Sequence, residues 1–298
     1  MMLGVELVGV DGSRWNLRNG PVQMTTAGLG GLNMRTPQYQ KIETARGHGS
    51  RVTSWKYGDE QVRLPLKWNI LYAHDITGLQ RQFWNALFSE DFTQRCLLVV
   101  TDGDGAERSL PIRFVDDGGI AYALDPYTWQ DPFVVTFEAN DPYWLGTEVS
   151  VPFQLGADDS SSNFFGGGDV NAQGKGPDFF LAAGRGDGAS QVANPGNAAA
   201  WAVWTFTAQS AGVTDFRFGV AGHYVSSNSI AMVSGDVLEI STSPLDQVAL
   251  LNGVNVTREL DEVDWAAIPP GSFVDVSIEV TGAALVEVSF NPLYNRAF

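Results

Sequence analysis

The sequence predicts a mainly β protein in two parts, an α+β first half with one helix and then a sandwich built of strands alone. Three observations predict this. Short alternating runs, each ended by Gly, Asn, Asp or Pro, recur through the 298 residues. One stretch, residues 75–88, carries apolar side chains at helical spacing. The second half has no such stretch, and many short strands with tight turns suit a sandwich.

The elements follow in order. Val5-Glu-Leu-Val-Gly-Val10 alternates loosely and breaks at Asp11-Gly-Ser13, so a strand enters a turn. Arg14-Trp-Asn-Leu17 is a second short strand. The glycines of 27–32 lack the order of a dinucleotide loop, and no helical pattern follows them. Residues 52–57 and 62–68 flank Gly58-Asp-Glu-Gln61 and predict strand, turn, strand. Val62, Leu64, Leu66 and Trp68 share one face, with Arg63 and Lys67 on the other. Pro65 has no N–H to give a ladder, which predicts an edge or a bulge. In the helix, Asp75 or Thr77 caps the start, and Ile76, Leu79, Phe83, Leu87 and Phe88 form the inward stripe. Strands at 96–101, 108–115, 121–124 and 133–139 follow, the first two joined by Asp102-Gly-Asp-Gly105.

Composition shifts after Gly146, which sets the expected domains at 1–146 and 147–298. Residues 147–155 read as a strand, and 164–189 as a Gly-rich surface excursion anchored by Phe164-Phe165 and Phe179-Phe180. Strands are expected at 202–207, 213–220, 236–241 and 248–251, with a tight turn at Asn252-Gly253. Residues 272–280 and 284–290, on either side of Thr281-Gly282, predict a hairpin.

Charge narrows the function classes. The formal net charge is -16; residues 1–146 hold 13 Lys plus Arg against 17 Asp plus Glu, net -4, and residues 147–298 hold 5 against 17, net -12. Sequence-specific nucleic-acid binding needs a basic footprint and is disfavoured. A channel through which DNA slides without sticking is compatible with acidic walls. Hydrophobic residues make up 44%, enough for a real core. Cys96 is the one cysteine, so no intrachain disulfide forms, and its apolar neighbours predict a buried small side chain. The N-terminal residues do not have the form of a signal peptide, and no apolar run approaches the roughly 18 residues of a membrane span.

The residues that carry chemistry do not assemble into a reaction motif. His48, His74 and His223 are far apart, without zinc spacing. Asp102-Gly-Asp-Gly105 lacks the later ligands of a calcium loop and joins two strands. Asp131, Glu138 and Asp141 would serve sugar hydrolysis only across a cleft, and their neighbours Pro132 and Pro142 favour turns. Arg185-Gly-Asp187 is a short tripeptide in a Gly-rich stretch, and Asn255-Val-Thr257 lacks the secretion signal that glycosylation requires. Neither a nucleophile elbow nor a P-loop is present. No catalytic residue, cofactor or metal is expected. The candidate site is instead a structural corner, Trp129, Phe133, Asp141, Pro142, Tyr143 and Trp144, where Asp141 and Pro142 suit a turn and an Asx cap, and the aromatics suit a core or a subunit interface alike.

The ordered set of signals resembles a known family. Trp15-Asn-Leu17, the turn Gly28-Leu-Gly-Gly-Leu32, Arg46-Gly-His-Gly-Ser50 leading to Val62-Arg-Leu-Pro-Leu66, the helix, and Phe137-Glu-Ala-Asn-Asp-Pro-Tyr-Trp144 carry it in the first half. Asn194-Pro-Gly-Asn197, Asp236-Val-Leu-Glu-Ile-Ser241 and Trp265-Ala-Ala-Ile-Pro-Pro-Gly271 carry it in the second. The chain is similar to siphophage distal tail (Dit-like) proteins, of the minor tail protein type of actinobacterial phages. It departs from the pattern at Ala198-Ala-Ala-Trp-Ala-Val and in the length of 164–189.

The resemblance implies a ring-forming, tube-adaptor domain at 1–146 and an outer galectin-like or carbohydrate-module-like sandwich at 147–298. It implies a non-enzymatic hub that joins tail tube to tip or baseplate and lets DNA pass without specific binding. Copies of itself, the tube protein, tip proteins and the tape measure protein are the implied partners. The virion, at the distal end of the tail, is the implied place, after synthesis in the host cytoplasm and without membrane insertion. The alternative function is a carbohydrate-binding adsorption protein contacting the host envelope, and weak glycan contact belongs to both readings.

Overall fold

A computed structural model describes residues 4–25, 30–32, 35–43, 48–69, 76–119, 132–141, 143–156, 190–271 and 273–298. The chain divides into two compact units, Met1–Thr147 with Leu293–Phe298, and Glu148–Pro292. Residues 293–298 thus return to the first unit, whereas the composition break places them in the second.

The first unit contains β1 (Gly4–Val8), β2 (Arg14–Asn16), β3 (Val22–Met24), β4 (Pro37–Glu43), β5 (Ser50–Tyr57), β6 (Glu60–Trp68), α1 (Ile76–Leu87), β7 (Cys96–Thr101), β8 (Glu107–Asp116), β9 (Phe133–Ala139) and β10 (Trp144–Leu145). The second contains β11 (Val149–Leu155), β12 (Ser190–Ala193), β13 (Val203–Val220), β14 (His223–Ser227), β15 (Val237–Ser241), β16 (Val248–Leu251), β17 (Val254–Asn255), β18 (Glu262–Val263) and β19 (Phe273–Phe290). β20 (Leu293–Tyr294) pairs with β10 in the first unit.

The main sheet of the first unit runs β2-β1-β7-β8-β9-β6-β3, with antiparallel neighbours throughout. Alternation decides which face is buried. Val62, Leu64, Leu66 and Trp68 of β6 are buried, while Arg63 and Lys67 are exposed, as the spacing predicts. Pro65 departs from its expected edge position in an instructive way. β6 lies inside the sheet, but the Pro65 carbonyl accepts from Thr25, just past the end of β3. In an antiparallel ladder a residue's N and O point to the same side. The missing N–H therefore faces the place where β3 pairing stops, and the β6–β9 ladder loses nothing.

α1 sets Ile76, Phe83, Ala86 and Leu87 into the core, with Leu79 partly buried. Phe83 sits edge-on among Trp15, Trp68 and Trp84, with ring centroids at 5.1, 5.6 and 5.3 Å. Phe88 leaves the expected stripe: the helix ends at Leu87, the helical phase stops there, and Phe88 is 62% exposed. Cys96 is buried as expected; its Sγ lies 3.5 Å from the Leu87 carbonyl, and burial pushes the thiol up to about 11. Asp102 turns back on its own loop, accepting from the Asp104 and Ala106 amides, which is a turn geometry. The strand expected at 121–124, the cap at Asp75, and His74 lie outside the described residues.

In the second unit, two strands of 18 residues, β13 and β19, pair along their length. This corrects two expectations. Residues 202–207 and 213–220 belong to one strand, and the Thr281-Gly282 step is a bend within β19 rather than a hairpin turn. The register shifts between Ala208 and Asp215, where Gly212 (φ +67°) lies against Gly282 (φ +120°). A Cβ on Gly282 would run into the Gly212 carbonyl, and one on Gly156 into the Gly282 carbonyl. Three backbones thus touch across one corner, and both long strands fold over there together. The two halves of β13 then face each other, with Trp204 on Phe218 at 4.4 Å and Phe206 on Phe216 at 5.3 Å. One layer holds β12, β14 and β18 beside the long strands, and the other holds β11, β15, β16 and β17. The sandwich is therefore a single sheet folded on itself.

The Asn252-Gly253 turn forms as predicted, with φ of 49° and 81°. Its amide is tied to Asp236: Asn252 Nδ2 donates to Asp236 Oδ1 at 2.8 Å, and the Val233 amide donates to Oδ2 at 2.8 Å. These bonds, the Asn252 bond first, hold the Asp236 carboxyl below its ordinary 3.8. A depressed folded value contributes stability above the unfolded value, lost as pH falls through the lower folded one. Asp236→Asn is expected to flatten the acid limb of melting temperature against pH, measured between about pH 5 and 2. An unchanged limb would show that the network carries no linked proton.

Candidate assembly surface

β4 and β5 form a two-stranded antiparallel arm that, among the described residues, pairs with no other strand. The chain reaches it with alternating sequence, yet nearly every arm residue is exposed. Register and pleat place Pro37, Tyr39, Trp55 and Tyr57 on one face, because Tyr39 lies opposite Trp55 and Pro37 opposite Tyr57. Trp55 and Tyr57 are edge-to-face at 5.1 Å, and Tyr57 meets Tyr143 of the body at 6.0 Å. An aromatic row thus starts at Tyr143 and runs outward. Tyr39 and Trp55 remain 55% and 56% exposed, and Ile42 and Val52 near the tip are similarly open. A bulge sits beyond Gln40, where Thr53 is unpaired and its hydroxyl donates to the Gln40 carbonyl.

The arm also differs in charge. Residues 37–57 hold four Lys and Arg (Lys41, Arg46, Arg51, Lys56) against one acid (Glu43), net +3 in a chain of net -16. Exposed aromatic area, two open strand edges and a charge opposite to the rest of the molecule are the properties of a docking surface.

The root of the arm gathers three segments around Arg35, whose side chain is 5% exposed. Nε reaches Glu60 at 3.1 Å. Nη1 donates to the Ala139 carbonyl at 3.2 Å and lies 3.4 Å from the Gly58 carbonyl. Burial draws the guanidinium below its ordinary value, against the opposing pull of Glu60, Asp141 and Asp59. Burial also raises the Glu60 carboxyl, and Arg35 offsets part of that.

The predicted corner is distributed over this unit. Phe133 is buried and stacks on Trp68 at 5.4 Å, in the core near α1. Asp141 accepts from the Tyr143 amide at 3.1 Å, an Asx turn, and contributes negative potential at Arg35. Tyr143 packs on Tyr57, and burial raises its phenol. Trp144 is buried and lies opposite Tyr294 in the β10–β20 ladder. Trp129 and Pro142 lie outside the described residues, as do Asp131 and the excursion 164–189. Glu138 lies in β9 opposite Gln61 and Arg113. Asp141 and Tyr143 therefore meet at the arm root, a gathering that needs Arg35 and Tyr57, which no local motif marks.

The β5–β6 pairing implied by strand, turn, strand is absent: β5 pairs with β4, and β6 pairs with β9 and β3. Among the described residues no three His, Cys, Asp or Glu side chains gather as a metal set would require.

No protein-family model matches the sequence, and no curated protein matches it. Solved structures do. The crystal structure of Dit from phage SPP1 superposes with a TM-score of 0.60 at 13% identity, covering 98% of this chain and 99% of that one. The chain has the Dit fold. Chains of the phage P2 baseplate, in its activated conformation with Ca and with Sr, share this fold at a TM-score of 0.54 and 11% and 10% identity. Each comparison covers 97% of this chain and 98% of the other. SPP1 Dit is described as a paradigm of the hub adsorption apparatus in phages infecting Gram-positive hosts. The Dit fold is thus matched across both units with little shared sequence.

Proposed function

We propose that this protein is the hub of a siphophage tail tip, a ring of identical copies joining the tail tube to the tip or baseplate. The β4–β5 arm carries the reading. It extends open strand edges, Tyr39 and Trp55, and a net positive charge, from a chain whose remainder is strongly acidic. A second copy offers the complementary charge and closes edges that a monomer leaves open. The Dit fold of the SPP1 and P2 neighbours supports the same role. In this role the first unit forms the ring, with Asp141 and Tyr143 at the root of the arm, Trp144 in the β10–β20 ladder and Phe133 in the core behind them. Tube, tip and tape measure proteins are the other partners, and DNA passes without specific binding. The work is assembly, with no reaction.

Sedimentation velocity and negative-stain imaging of the full chain test this. Annular oligomers are expected. Tyr39→Ser with Trp55→Ser is expected to weaken assembly at least tenfold, about 1.4 kcal/mol, because exposed aromatic anchors dominate interfaces. Monomers at every concentration, or a double variant that assembles as wild type does, would remove the proposal.

A second reading, host-glycan adsorption, has one observation in its favour. A polar hollow of about 380 Å³ on the second unit is lined by Asp215, Arg217, Ser226, Glu262, Glu279 and Thr281. Arg217 there lies over the Tyr224 ring at 3.7 Å and pairs with Glu262 at 3.5 Å. Saturable binding on a glycan array, lost in Arg217→Ala, would raise this reading above the first.

A further inference from the structure

The geometry points to Arg35 as the positioning residue of the arm, the clamp that holds β4–β5 at one angle to the body. Its use in assembly rests on the hub reading above; the clamping itself does not.

The arm leaves and rejoins the body within a few residues, at Arg35-Thr36 and Gly58-Asp59. Among the described residues it pairs with no body strand, so the ladder bonds that orient the other strands of this unit are missing here. A two-stranded hairpin without such support swings about its root. Among the described residues two sets of contacts oppose the swing. One is the Tyr57–Tyr143 ring contact, which is apolar and tolerant of small rotations. The other is Arg35. Its planar fork spans three segments: its own, on the entering side of the arm; Gly58 and Glu60, on the leaving side; and Ala139, at the end of β9. A guanidinium bound through separate nitrogens fixes direction as well as distance. Because the side chain is buried, swinging the arm would strip a charged group of its partners without giving it water. β9 is an inner strand of the main sheet, hydrogen-bonded to β8 and β6, so the clamp ties the arm to a strand held on both sides. Asp141 and Asp59 add negative potential around the cation without competing for its bonds.

This assigns a task to the run from Ala139 to Tyr143. Its carbonyl at 139, its carboxylate at 141 and its ring at 143 all face the arm root. A lysine at position 35 would keep the charge but lack the fork: one ammonium cannot hold Glu60 and the Ala139 carbonyl in two fixed directions.

Spin-label distance measurement on the full chain tests the clamp. Labels at Glu43→Cys near the arm tip and Glu107→Cys on β8 report arm direction, and buried Cys96 stays unlabelled. Dilution with unlabelled protein removes distances between copies. A narrow distribution is expected with Arg35 present. Arg35→Met is expected to broaden it at least twofold, and Arg35→Lys to broaden it by an intermediate amount. Glu60→Gln leaves Arg35 in place and serves if Arg35→Met does not fold; it too is expected to broaden the distribution. A merely structural arginine would lower the melting temperature and leave the width unchanged, and that result overturns the proposal. A narrow-to-broad change with unaltered oligomers would keep the clamp and sink the arm's role in assembly.

Discussion

Gly282→Val is expected to unfold the second unit while the first unit stays folded. Gly282 has φ +120°, a conformation closed to β-branched residues, and its missing Cβ is the space into which the Gly212 carbonyl fits. The obstacle is backbone on a paired strand, so no side-chain rotation relieves it. Strain of this kind costs roughly 3 kcal/mol or more, on top of the lost β13–β19 register. Both long strands pass the corner, and the Trp204–Phe218 and Phe206–Phe216 contacts depend on it. Hydrogen exchange resolved by segment should show protection lost over residues 190–292 and kept over 4–119. Equal protection in mutant and wild type would show that the corner relaxes at little cost.

Phe83→Ala should weaken the first unit by about 3–5 kcal/mol, the usual cost of emptying a fully buried aromatic site. Phe83 is completely buried and is the ring that Trp15, Trp68 and Trp84 share. Three rigid indoles from three elements cannot close the void together, so the cavity term stays large. Phe88→Ala, one residue past the helix, should change stability by no more than about 0.5 kcal/mol. Chemical denaturation of the two variants measures the contrast. Similar losses for both would mean that Phe88 is covered in solution.

These two predictions mark how far the fold was legible. The stripe of α1 shows in the sequence because burial there follows a local period, and it fails at Phe88, where the period outlasts the helix. Val62 to Trp68 reads correctly for the same reason, and Asn252-Gly253 because both residues tolerate the left-handed region. Thr281-Gly282 misleads: a glycine that ends a strand and one that bends it look alike until the facing strand is known, and Gly212 lies 70 positions away. The arm is harder still. Residues 52–57 alternate like a half-buried strand, but alternation cannot reveal that the apolar face has no cover among the described residues. β4 carries four polar or charged residues among its seven and leaves little trace at all. In the candidate site, Asp141 as a turn cap was readable locally; Arg35 was not, since its partners come from Gly58, Glu60 and Ala139.

The β10–β20 ladder has a consequence for biosynthesis. Residues 148–292 emerge from the ribosome as one uninterrupted block, whereas the first unit lacks Leu293 to Phe298, including buried Ala297, until those residues are made. The inserted block starts and finishes beside a single two-strand ladder, so β10 waits for its partner β20 until the whole block has been made.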